Sequence, residues 1–243
     1  KKAIEFLELA NKNKYNKSFK TRLIFILAQL YHIQGNYKAS VYYQEVVERN
    51  PEYEMAFQAK INRALSFSGG DSKAIKAQLL KMLKDDKNIE YFDQIYYALA
   101  EISFTEQNEA LGVEQLQKSI NLSLNDNQQK IKSMSRMGDI YFEKSKYIKS
   151  YFYYYSLKKI PLKEYREKEI VEKKYKILKN IFLNNSTVVR NDSLFMICSL
   201  SPKDRMDKIY EVIDIQEGKS KDKSPLIAST QNRLSNPRSN GVI

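Results

Sequence analysis

Apolar residues recur along this chain at intervals of three and four, the period of a helix with one buried face. The run Ile24, Leu27, Ala28 and Tyr31 is followed by a polar turn, Gln34-Gly35-Asn36, and then by Tyr37, Ala39, Tyr43, Val46 and Pro51. A second such pair of runs begins near Asp93, with Tyr96, Leu99 and Ala100, the turn Gln107-Asn108-Glu109, and then Gly112, Leu116 and Ser119. A third begins near Ile131, with Met134, Met137, Gly138 and Tyr141, then Tyr147, Ser150, Tyr154, Leu157 and the stop at Pro161. This pattern predicts helices over nearly all of residues 1–215, arranged as antiparallel pairs.

Between the first two pairs, residues 52–88 read as a weaker copy. Phe57, Ile61, Ala64 and Leu65 mark its first helix, Gly69-Gly70-Asp71 its turn, and Ala74, Leu79, Leu80 and Leu83 its second. Residues 1–12 read as the second helix of a preceding pair, with Ala3, Leu7 and Ala10 on its inner face. Because the chain opens inside that helix, it is expected to be a piece of a longer protein. The order within each pair is a large residue, Leu with a small residue, then Tyr, with small–aromatic–small following in the second helix. At a spacing of about 34 residues, that is the tetratricopeptide (TPR) signature. The expected fold is therefore all-α: a TPR-type α-solenoid, a right-handed superhelix of antiparallel helix pairs with C-terminal capping helices. Ala28, Ala100 and Gly138 are expected where paired helices approach most closely. In the run Tyr151-Phe152-Tyr153-Tyr154-Tyr155, the core roles fall to Tyr151 and Tyr154.

After Pro161 the pattern changes, which places the repeat array in 1–162 and capping or accessory helices in 163–215. Residues 163–182 read as a long charged helix with a wide apolar arc: Val171, Tyr175, Leu178 and Phe182, flanked by Ile170, Ile177 and Ile181. Asn184-Asn185-Ser186 is expected to break it, with Asp192 capping a short helix through Leu200. Cys198, beside Leu194 and Ile197, is expected to be a buried structural thiol. Ser201-Pro202-Lys203-Asp204 carries a capping hydroxyl, Pro at the first helical position and a carboxylate three residues on, a helix start. Met206, Ile209, Tyr210 and Ile213 form the stripe that follows. Residues 216–243, rich in Ser, Asn, Lys and Pro, form an extended low-complexity tail with little apolar surface. It is expected to order on a protein partner or on the flank of 163–182.

Composition changes this picture little. The net charge is +12, but thirty-two of the 41 basic residues are Lys, spread among eighteen Asn and eighteen Tyr. That flavour suits an AT-rich coding sequence more than a nucleic-acid interface, where clustered Arg supplies bidentate contacts. One cysteine excludes an internal disulfide. One histidine, His32, excludes paired His ligands and a His-Glu-x-x-His site. No stretch approaches the roughly 18 apolar residues of a membrane span. Asn16, Asn121 and Asn191 stand in glycosylation-type triplets, as chance produces in an Asn-rich chain. No glycine-rich nucleotide loop is present, so the chain is expected to be neither an enzyme nor a cofactor carrier.

What remains is surface. In TPR arrays the first helix of each pair lines the inner face. That face here presents Phe25, Gln29 and His32, then Tyr97, Glu101 and Phe104, then Arg136, Asp139 and Phe142. Aromatic anchors mixed with polar groups suit protein binding. The basic set that clamps a C-terminal carboxylate in chaperone-binding TPR domains is missing from these positions.

The wording of several segments goes further. Tyr53-Glu54-Met55-Ala56-Phe57, Ile61-Asn62-Arg63-Ala64, Leu79-Leu80-Lys81-Met82-Leu83-Lys84-Asp85, Asp93-Gln94-Ile95-Tyr96-Tyr97-Ala98-Leu99-Ala100 and Gly138-Asp139-Ile140-Tyr141-Phe142 resemble the SprE/PorW family. So do Asp192-Ser193-Leu194, Leu200-Ser201, Arg205 and Asp207-Lys208-Ile209. These are TPR lipoproteins of gliding motility and type IX secretion in Bacteroidota. The resemblance, over about residues 20–215, implies a scaffold on the periplasmic face of the outer membrane. It would link the secretion translocon to periplasmic ring and motor components. Its only membrane attachment would be a lipid anchor outside this chain, since Cys198 cannot serve. An unrelated TPR adaptor or chaperone-like module is the alternative, and a basic RNA-binding helical repeat is a third reading.

Overall fold

The computed structural model describes residues 2–124, 127–160 and 165–216. Among them the chain is all-α, with eleven α-helices, one 3-10 turn and no strand. The helices are α1 (Lys2–Asn11), α2 (Lys17–Ile33), α3 (Lys38–Glu48), α4 (Tyr53–Leu65), α5 (Lys73–Met82), α6 (Phe92–Thr105), α7 (Glu109–Leu122), α8 (Asn127–Glu143), α9 (Tyr147–Leu157), α10 (Tyr165–Ser199) and α11 (Pro202–Gln216). The 3-10 turn, Asp86–Tyr91, leads into α6. None of these helices is long and apolar enough to cross a membrane. The tail expectation for 216–243 lies, beyond Gln216, outside the described residues.

Two compact units form, residues 1–137 and 138–243, with the division inside α8. In the first unit α2 packs on α3, α3 on α4, and α6 on α7 and α4. Ile24, Leu27, Ala28, Ala39, Tyr43 and Val46 close the core of α2 and α3. Phe57, Ile61, Leu79, Ile95, Leu99 and Ile102 close the next. Ala28 and Ala100 are fully buried, as the spacing predicts. A buried polar chain adds direction to this apolar packing. The Ser119 hydroxyl donates to the Asp93 carbonyl at 2.7 Å and lies 2.7 Å from the Ser133 hydroxyl. Ser123 donates to the Asp93 carboxylate at 2.8 Å, and Gln129 donates to Ser133. Buried polar groups matched in this way hold α6, α7 and α8 in one register.

Turn chemistry repeats as well. Helices α2, α6 and α8 each end in a left-handed residue: Gly35 at φ 63°, Gln107 at φ 62° and Ser145 at φ 56°. Each stands at the same offset from its small residue, Ala28, Ala100 or Gly138. In each, the next amide reaches back to the last turn: Asn36 to Tyr31, Asn108 to Ser103 and Lys146 to Tyr141. This two-bond closure satisfies the orphan carbonyls and turns the chain into the following helix. Only the first turn uses glycine, so the other two carry a modest left-handed cost.

In the second unit, Tyr151 and Tyr154 are buried, as expected from the five-aromatic run. Tyr151 stacks on Phe182 with centroids 4.5 Å apart and lies near Tyr175, so α9 packs on α10 through rings. A Cβ added to Gly138 would stand 2.7 Å from the Tyr154 ring, and Ser150 donates to the Gly138 carbonyl. The small residue is there because the aromatic ring occupies the space.

Four expectations are corrected. Helix α10 runs unbroken for 35 residues through Asn184-Asn185-Ser186, and Asp192 caps nothing because it sits mid-helix. Asn and Ser are weak helix formers, not breakers, at under 1 kcal/mol each. Ser186, Thr187 and Ser193 donate to carbonyls four residues back, so their hydroxyls are satisfied within the helix. Cys198 is exposed. Ala3 is exposed, and Ile4 takes the inner position of α1. The start of α11 is as read: the Ser201 hydroxyl accepts from the Asp204 amide at 3.2 Å.

Candidate functional site

Residues one turn apart on α6 and α8 build a charged and aromatic cluster in the first unit. Arg136 donates from Nε and Nη2 to the two Glu101 oxygens at 2.8 and 3.2 Å. This two-pronged match is what a guanidinium and a carboxylate offer each other. The Arg136 guanidinium also lies 5.4 Å from the centre of the Phe104 ring. Phe104 in turn covers Gly112 of α7, where an added Cβ would fall 2.5 Å from the ring. Tyr97 is buried and not on an open face, because the Lys132 ammonium lies 4.5 Å above its ring.

Lys132 is the residue that reasoning from sequence missed. Its side chain keeps accessible surface yet is hemmed in by protein, and this desolvation holds its pKa below the usual lysine value. Glu101 opposes the shift but does not reach ion-pair distance. A lysine on a polar helix face reads as solvated. The available signal was its position, one turn before Arg136 on a face already chosen.

The α2 residues form a second group. Phe25 and His32 both set an edge against Tyr43, at 5.9 and 6.0 Å, while Gln29 is exposed. Burial lowers the His32 pKa, and the Lys132 ammonium lowers it further. The Lys132 charge thus reaches His32 on α2.

Asp139 and Phe142 belong to the second unit and do different work. Asp139 accepts a hydrogen bond from the Tyr154 hydroxyl at 2.5 Å and pairs with Lys174 of α10. Burial first, and this bond second, push the Tyr154 pKa well up. Asp139 is thus engaged inside the packing of α8, α9 and α10. Phe142 is exposed and meets only the edge of Tyr147, at 5.5 Å.

The arrangement can hold a polypeptide through rings and charge. Among the described residues, no group of three or more His, Cys, Asp or Glu could hold a metal ion. The class defined by fold and site is an all-α protein of packed helix pairs. Comparison with protein-family models and with curated proteins finds no match, so this class rests on the chain's own residues.

Proposed function

We propose that this chain is a non-catalytic TPR-type scaffold of the type IX secretion and gliding apparatus. It links the outer-membrane translocon to periplasmic ring and motor components, and is held at the periplasmic face of the outer membrane by a lipid anchor outside this chain. One observation carries the repeat reading: Ala28, Ala64, Ala100 and Gly138 recur at about 36 to 38 residues, close to the roughly 34-residue TPR period. All four are buried on the first helix of a pair. The identical left-handed closure after three of them supports it. The place in the apparatus rests on the SprE/PorW-like wording of the same helices.

The test is partner capture. Arg136→Glu combined with Phe142→Ala should weaken co-purification of apparatus components at least several-fold. Helicity should be unchanged, because a partly exposed ion pair contributes about 1 kcal/mol or less. Unchanged recovery of every component would sink the inner-face assignment.

A further inference from the structure

The α6–α8 cluster is one negative charge short. Two cations, Lys132 and Arg136, lie over two rings, Tyr97 and Phe104, with a single carboxylate between them. Both Glu101 oxygens are taken by Arg136. Lys132 is exposed, and among the described residues its ammonium makes no hydrogen bond and no ion pair; it lies over the Tyr97 ring. His32 adds no anion. Removing an ammonium from part of its water without supplying a carboxylate is costly. Lysine is also a flexible point charge that gains most from a single incoming anion. Among the described residues, this charge therefore has no complement.

Resting on the protein-binding reading above, we propose that the partner supplies that complement as an Asp or Glu side chain within an extended segment, which pairs with Lys132 above Tyr97. A chain terminus is the wrong source. Holding a terminal carboxylate takes several converging donors, and the neighbouring cation, Arg136, is already engaged by Glu101. An internal acidic side chain needs one. Its flanking residues meet the half-buried Phe104 and Phe25 rings, so an acidic residue with apolar neighbours fits best. Burying the pair raises its strength, so the acidic position specifies the partner's register more than it adds area.

The experiment uses the full chain and random libraries of short peptides, one set amidated and one with free C-termini. Wild type should enrich an acidic residue at one internal position from both sets. Lys132→Met should lower affinity for the enriched peptides about tenfold or more, while the exposed Lys203→Met should leave it unchanged. Lys132→Met keeps the apolar stem over Tyr97 and breaks no ion pair, so its thermal midpoint should match wild type. As a check independent of folding, the Lys132 Cε resonance in wild type should titrate at higher pH once an enriched peptide is bound. Acidic enrichment that survives Lys132→Met, enrichment confined to free C-termini, or an unmoved Lys132 titration would each overturn the proposal. Peptides selected without acidic preference would overturn it and leave the scaffold reading standing. Selection of no peptide at all would bring down the scaffold reading itself.

Discussion

Helices α2 and α6 bury their apolar stripes, whereas the second half of α10 and all of α11 carry equally regular stripes that nothing described covers. Ile24, Leu27, Ile95 and Ile102 have no accessible surface. Val188, Leu194, Phe195, Met206, Ile209, Tyr210 and Ile213 are each 40% exposed or more, and Phe195 reaches 75%. The two regions do not differ in helical period. They differ in neighbours: α2 and α6 each meet a partner helix along their length, and α11 touches α10 only near their junction. An amphipathic pattern therefore states that a face wants cover and is silent on what supplies it.

The sharpest way to break the comparison is to open the sealed side. Gly138→Leu should cost about 3 kcal/mol or more, because its side chain would enter space held by the Tyr154 ring and by Tyr153. Chemical denaturation would read this as a lower midpoint with an unchanged slope. A loss below about 1 kcal/mol would mean that α8 and α9 pack more loosely than the distances indicate.

How far the sequence disclosed this can be judged from the same residues. The helix pairs, their turns and the buried small residues were legible because each is a local requirement: period, left-handed closure, absence of a Cβ. Helix α10 was misread at Asn184-Asn185-Ser186 because a local dip in helix propensity, under about 1 kcal/mol per residue, was weighed as a stop. Among the candidates, Glu101, Phe104 and Arg136 do come together. Asp139 was placed on the correct helix, but pairing with Tyr154 and Lys174 takes it into the packing. Lys132 was invisible for a physical reason: its environment is created by Tyr97, on a helix more than thirty residues away in sequence.

Alkaline pH sharpens the comparison with a smaller effect. Burial pushes Tyr43, Tyr151 and Tyr153 up to about 12, against about 10 for an unfolded tyrosine. Between those values the unfolded chain releases protons that the folded chain keeps. Their contribution is therefore fully present below pH 10 and is lost as pH rises through 12. The thermal midpoint should decline across that window, and the tyrosinate absorbance of these three rings, read as the difference between wild type and their Tyr→Phe variants, should appear late and together with loss of helix. If that difference appeared early, with helicity intact, these rings would be solvated.

The smallest effect is expected on the uncovered side. Phe195→Ser removes a large apolar side chain from α10, yet three-quarters of that residue already faces solvent, so little burial is lost. Exposed substitutions of this kind move stability by about 0.5 kcal/mol or less. The lower helix propensity of Ser is a matter of tenths. The same loss at a sealed position, Leu99→Ala, should cost about 2 to 5 kcal/mol. The contrast between the two variants measures cover directly. If Phe195→Ser cost as much as Leu99→Ala in the isolated chain, the α10 face would be sealed in solution, and the distinction between the two regions would fail. If Phe195→Ser stayed neutral alone but weakened binding to another protein, the cover would come from outside, and the exposed stripe would be the interface that the pattern announces.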